Sequence, residues 1–268
     1  MTDIYQEIVR IRAEGEEAAL VTIVSAIGST PRGEGTKMLV RADGSLVGSI
    51  GGGSLEAQLC ERAMEVIKKG KSQRLHISLT AKEGEEPGMI CGGDVEVFIE
   101  PILSVPTLYI FGGGHISLAI AKIGKLAGCK IAVIDDRAEF ANPQRFPEAE
   151  LILAKDFEKA FSELPVDKSG YIVIVTRNHQ YDELVLDWAL GTQAKYIGMI
   201  GSKTKNEAIF SHLRAKGIAQ EQLDKVNAPI GLEIYAQTPE EIAVSILAEI
   251  IKARWSPPLI IGKTGINY

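Results

Sequence analysis

The stretch TLYIFGGGHISLAIAKIGKLAGCKIAVIDDR, residues 107–137, sets a glycine-rich turn directly between an apolar strand pattern and a helix pattern. Gly112-x-Gly114-x-x-Ser117 opens the helix and Asp135 ends the next strand, so both context requirements of a dinucleotide fingerprint are met. The glycines permit a tight turn, and the unpaired amides at the helix N-terminus attract a phosphate or another anion. This constrains the C-terminal half to a Rossmann-like parallel sheet and makes NAD(P) or another nucleotide a candidate cofactor. Ser117 stands where a third small residue, usually glycine or alanine, is expected. His115 follows the motif's second glycine, where its ring either touches a pyrophosphate or blocks it. Asp135 either holds an unphosphorylated ribose or merely caps the strand end, and Arg137 lies close by.

The pattern downstream keeps alternating: KIAVIDD, ELILA, DFEKAFSEL, YIVIVT, a helix about DELVLDWAL, KYIGMIG, a helix across KNEAIFSHLRAKG, and EEIAVSILAEIIKAR. Such alternation implies βαβ units. Ligands of open α/β sheets gather beyond the carboxyl ends of the strands. Two segments map to that rim: VIVTRNHQYD with Arg177, His179 and Asp182, and YIGMIGSKTKN with Gly201, Ser202, Lys203 and Lys205. Ser202 is placed to cap a helix, and Lys203 to offer a point charge to a phosphate; an ordinary charged helix start is the plainer reading. Thr238, Pro239 and Glu241 stand in capping-box order before a strongly apolar last helix, whose apolar surface serves sheet packing or a subunit interface.

The N-terminal half reads as α+β. Ile4, Ile8 and Ile11 recur at helical spacing, AALVTIVSA reads as a buried strand, and TKMLVRADGSLVGSI as a hairpin about Ala42-Asp43-Gly44. Ser54 is the expected N-cap of SLEAQLCERAMEVIKKG, and RLHISL and DVEVFIE alternate like strands. Gly51, Gly52 and Gly53 precede that helix and can turn several amides toward one anion, with Arg32 and Lys37 as matching charge; a plain strand-to-helix turn is the alternative. Cys91, before Gly92 and Gly93, is either a ligand-facing thiol or a structural one. The prolines of PILSVP, residues 101–106, mark a boundary between domains 1–104 and 105–268, with a ligand cleft expected between them.

The 268 residues carry 29 Lys plus Arg against 35 Asp plus Glu, a net charge of -6, which argues against nucleic acid or an acidic membrane as main partner. No apolar run approaches the roughly 20 residues of a membrane span, and the charged N-terminus lacks a secretory signal's apolar centre, so a cytoplasmic protein is expected. Cys60, Cys91 and Cys129 are scattered, indicating neither a disulfide framework nor a zinc site. Core packing is the expected role of Cys60 and Cys129.

STPRGEGTKMLV, GSIGGGSLE, CGGDVEVFIEP, the glycine-turn stretch above, RFPEAE, TRNHQYD, YIGMIGSK, APIGLEI and TPEEIAVSILAEI, in this order, resemble the XdhC/CoxI family of xanthine dehydrogenase accessory proteins. Gly113 stands where the family commonly shows alanine. The resemblance implies an N-terminal XdhC/CoxI domain followed by a Rossmann-type domain. It implies a chaperone that binds molybdenum cofactor (molybdopterin) and holds it while a cysteine desulfurase exchanges a terminal oxo ligand for sulfur. The loaded cofactor would then pass to a xanthine dehydrogenase-like molybdenum hydroxylase. The chain would not itself be the hydroxylase. On this reading the glycine-rich amides with Arg32, Lys37 or Lys203 hold the cofactor's phosphate, and Cys91 contacts molybdenum or its sulfur. A homodimer is expected from symmetry base rates. An NAD(P)-dependent oxidoreductase and a nucleotide-sensing module are the rival readings.

Overall fold

The structure, a computed structural model, describes residues 3–79 and 92–255. The chain divides into two compact units, Met1–Ser104 and Val105–Tyr268. The first holds α1 (Ile4–Ala13), β1 (Ala18–Ile27), β2 (Lys37–Arg41), β3 (Leu46–Gly48), α2 (Gly53–Lys69), β4 (Gln73–Ser78) and β5 (Asp94–Ile102). Its strands form one antiparallel sheet in the order β3-β2-β1-β5-β4. Period-two alternation gives this sheet two apolar faces. Val21, Ile23, Met38, Val40, Val97 and Ile99 pack with Leu55, Leu59, Ala63 and Val66 of α2. Leu20, Leu39 and Val47 face the other way, against Ile11 of α1.

Two local details place the loops of this unit. The β1–β5 register shifts between Ile23 and Ser25, a bulge that leaves Val24 40% exposed and bends the end of β1. The N-cap of α2 is Gly52 rather than the expected Ser54, which lies inside the helix. Gly52 stands at φ 77 and Gly53 follows at φ 64, backbone values that glycine adopts freely and serine does not.

The second unit holds β6 (Thr107–Phe111), α3 (His115–Leu126), β7 (Lys130–Asp135), β8 (Leu151–Ala154), α4 (Phe157–Phe161), β9 (Gly170–Ile174), α5 (His179–Leu190), β10 (Tyr196–Met199), α6 (Lys203–Ala215), α7 (Gln220–Leu223), β11 (Val226–Asn227) and α8 (Pro239–Trp255). All pairings are parallel, in the order β11-β10-β9-β6-β7-β8. Counted from β6, this is the doubly wound Rossmann order, and it reverses between β6 and β9. The α3 and α8 helices cover one face of the sheet, and α4 to α7 cover the other. The strands are apolar on both sides for that reason; all of β9 is buried. At the start of α8, the Thr238 and Glu241 side chains exchange hydrogen bonds with each other's backbone amides, as a capping box does. Burial pushes the Cys129 thiol pKa up, as suits a core residue, whereas Cys60 is only partly buried. Among the described residues no helix is long and apolar enough to cross a membrane.

Candidate functional site

Each unit presents a glycine turn, and in each the turn is already answered by a carboxylate of the chain. In the second unit Gly112, at φ 109, donates its amide to the Ile134 carbonyl at 2.7 Å. A Cβ at Gly112 would run into the Val175 carbonyl, so the turn at the head of β6 fits against the end of β9 only with glycine. The fully buried Ser117 explains its own departure from the fingerprint: its Oγ donates to the Gly112 carbonyl at 2.5 Å.

Asp135 ends β7 and is 2% exposed. It accepts the Gly113 amide at 2.8 Å, the Arg137 amide at 3.0 Å, and Arg137 Nε and Nη2 at 2.9 and 3.1 Å. Burial pushes this carboxyl up, but the Arg137 side chain and the two amides outweigh it and hold the group below the usual aspartate range. The Arg137 guanidinium in turn lies 3.6 Å above the Phe140 ring. A Cβ at Gly113 would collide with the Phe140 carbonyl, and Arg145 Nη2 donates to the Gly113 carbonyl at 3.0 Å. The chain after β7 therefore folds back onto the glycine turn. In the structure Asp135 thus ties the end of β7 to the glycine turn and to Arg137. His115 is exposed at the first position of α3, and the Gly114 Cα faces open space.

Further along the rim, Asp182 of α5 is fully buried and accepts Thr176 Oγ1 at 2.6 Å and Lys205 Nζ at 2.7 Å. Arg177 pairs with Asp136 at 2.7 Å, and Tyr181 Oη reaches the same carboxylate at 3.2 Å. His179 is exposed, with Asn178 rather than any histidine contact capping α5 through the Tyr181 amide at 2.9 Å. Ser202 caps α6 through the Lys205 amide at 3.2 Å. Lys203 is exposed, and Lys205 is the lysine tied into the structure. Gly201, at φ 148, leaves room for Asn206, which a Cβ would strike.

In the first unit the bent end of β1 brings three separated motifs together. A Cβ on Gly93 would lie 2.6 Å from the Ile27 carbonyl and 2.7 Å from that of Ser29, and one on Gly28 would lie 3.1 Å from the Gly93 Cα. Gly51, at φ 129, sits under Pro31, whose ring a Cβ would meet at 2.6 Å. Residues 28–31, 49–53 and 92–93 thus share one end of the sheet, and among the described residues no other atom lies within 4 Å of where a Cβ on Gly52 or Gly92 would be. The anion at this turn is Glu56, the last residue of GSIGGGSLE. Its Oε2 accepts Ser49 Oγ at 2.6 Å and the Ile50 and Gly52 amides at 3.3 Å each. Its position in the first turn of a glycine-led helix was the available signal. Arg32 is exposed on the neighbouring loop, next to Pro31. Lys37 is elsewhere: it shares the α1 face with Leu39, and its Nζ donates to Thr22 Oγ1 at 3.1 Å. Cys91 lies outside the described residues. Among the described residues, no group of three or more His, Cys, Asp or Glu side chains could hold a metal ion.

Two family models match, the XdhC and CoxI family over residues 11–78 and the XdhC Rossmann domain over residues 108–250, the latter more than half of the chain. The chain belongs to the XdhC/CoxI family. It is 35% identical over 257 residues to the uncharacterized protein YqeB of Escherichia coli (strain K12), covering 96% of this chain and 47% of that one. It is 29% identical over 158 residues to a probable xanthine dehydrogenase subunit of Bacillus subtilis (strain 168), covering 59% and 46%. The matches thus span about half the length of these two relatives. The molybdenum cofactor insertion chaperone PaoD of Escherichia coli (strain K12) is 23% identical over 294 residues, and here the match covers 95% of this chain and 90% of the relative. A crystal structure described as a xanthine dehydrogenase from Bacillus halodurans superposes with a TM-score of 0.52 over 96% of both chains; at 22% identity this shows a shared fold.

Proposed function

We propose that this XdhC-family chain binds molybdenum cofactor and serves its maturation, handing it to a xanthine dehydrogenase-type molybdenum hydroxylase. The observation that carries the reading is the nearly end-to-end match to a relative named as a molybdenum cofactor insertion chaperone. The loop edge of the first unit supports it. Glycines at 52 and 92, with no atom of the described residues within 4 Å of where a Cβ would lie, let a flat polar molecule approach the backbone. Since Glu56 holds the amides of the glycine turn, the cofactor's phosphate falls to Arg32 on the neighbouring loop. Cys91, next in sequence to Gly92, is the thiol that contacts molybdenum or takes part in exchange of an oxo ligand for sulfur, with a cysteine desulfurase as sulfur donor. The protein works in the cytoplasm as a homodimer.

An NAD(P)-dependent oxidoreductase is the reading that the glycine fingerprint alone would favour. The bonding of Asp135 speaks against it. The test is incubation of the purified chain with molybdopterin cofactor under anaerobic conditions, followed by gel filtration and pterin analysis. Retained pterin that falls at least tenfold in affinity in Arg32→Ala supports the proposal. Failure of the wild-type chain to retain any pterin rejects it.

A further inference from the structure

We infer that the Rossmann unit is closed to dinucleotides by its own chain, with Arg137 and Phe140 as the residues that decide this specificity. In a doubly wound sheet of this order the adenosine half of a dinucleotide lies over the glycine turn and the end of the second strand, here Gly112 to Gly114 and Asp135. An ionised carboxylate offers about four lone-pair positions. Asp135 spends them on four N–H donors, those of Gly113, the Arg137 backbone, and Arg137 Nε and Nη2. A ribose diol would have to expel a bidentate guanidinium that is also stacked 3.6 Å above Phe140. It would also have to lift the Phe140 carbonyl, which leaves no room for a Cβ at Gly113, and break the bond from Arg145 to the Gly113 carbonyl. A 2′-phosphate fares no better, since the arginine that would receive it is committed to Asp135. The segment between β7 and β8 thus takes the place of the adenosine half and satisfies the acid in its stead. In this family member the fingerprint is kept for a turn that joins α3 to the sheet, and the acid is kept to brace that turn.

Two measurements on the full chain test this. Titration with NADH and NADPH, followed by nucleotide fluorescence, is expected to show no saturation up to about 1 mM; saturable binding of either below that concentration overturns the inference. In amide hydrogen exchange, the Gly113 amide of the nucleotide-free protein is expected to be strongly protected by its bond to a buried carboxylate. Residues 136–146 should exchange at the same rate with and without 1 mM NAD⁺. Fast exchange at Gly113, or slowing across 136–146 on adding nucleotide, overturns it. Neither readout depends on molybdopterin retention, so this inference and the cargo proposal stand or fall separately.

Discussion

Replacing Lys205 by methionine strips the countercharge from Asp182, a carboxylate with 0% exposure beyond the end of β9. The gross attraction at 2.7 Å is roughly 6 kcal/mol with an effective dielectric of about 20, part of which offsets the cost of burying the acid. Breaking a fully buried pair costs about 3–5 kcal/mol. The Lys205 side chain is 34% exposed, so water already shares its charge, and the lower end of that range applies, about 3 kcal/mol. Among the described residues Thr176 alone then donates to Asp182, and one neutral hydroxyl does not replace an ammonium. At roughly 2–4 °C per kcal/mol for a unit of this size, the unfolding midpoint of the second unit should fall by about 6–12 °C, read by circular dichroism in a thermal scan. Adding Asp182→Asn to Lys205→Met should recover at least about 1 kcal/mol, because the amide can still accept from Thr176 without needing a cation. A single variant within about 0.5 kcal/mol of wild type, or strictly additive losses in the double variant, would refute this account of the rim.

Other consequences are as direct. Gly51→Ala forces a side chain into φ 129 and into the Pro31 ring, and should cost about 2–3 kcal/mol in urea unfolding; a neutral result would mean the two loops do not pack as described. Glu56→Ala leaves the Ser49 hydroxyl and the Ile50 and Gly52 amides without their acceptor, and a loss of about 1–2 kcal/mol is expected, whereas no loss would remove Glu56 from the turn. Hydrogen bonds from Arg10 and Arg41 hold the Glu7 carboxyl at about 2, down from 4.5. A depressed carboxylate stabilises the fold fully above its unfolded pKa, so this contribution is present above about pH 4.5 and is lost as pH falls toward 2. Stability of Glu7→Gln should therefore decline less steeply than wild type across that window, and equal slopes would contradict the assignment. For Cys91→Ser, pterin retention should persist while sulfur transfer to the client falls at least tenfold; transfer at the wild-type level would exclude the thiol.

The fold was legible where local chemistry and tertiary packing agree. A strand, Gly112-x-Gly114, HISLAIAKIGKL and Asp135 can satisfy one another only as a parallel βαβ unit, and the alternation up to α8 extends it. The Val226–Asn227 strand is not legible in the sequence because two residues carry no periodicity. The cap at Gly52 rather than Ser54 depends on positive φ, which a serine-before-helix rule does not register. Site chemistry was harder to read because it depends on side-chain partners. Lys203 and Lys205 look alike in sequence, yet α6 directs only the second toward Asp182. Asp135 reads either as a ribose acid or as a strand-end cap, and its bonds to Arg137, itself stacked on Phe140, cannot be foreseen from spacing. The approach of Gly93 to Gly28, and of Gly51 to Pro31, follows from antiparallel pairing and a bulge near Val24, neither of which sequence spacing encodes.

The central claim is that this chain carries molybdenum cofactor. Purification under anaerobic conditions from cells that make the cofactor, followed by molybdenum and pterin analysis of the purified protein, tests it most directly. The account predicts molybdenum and molybdopterin in near-equal amounts, both released when a cofactor-free molybdenum hydroxylase is added and its activity appears. Protein free of both, which also takes up none when cofactor is supplied and activates no hydroxylase, would contradict it.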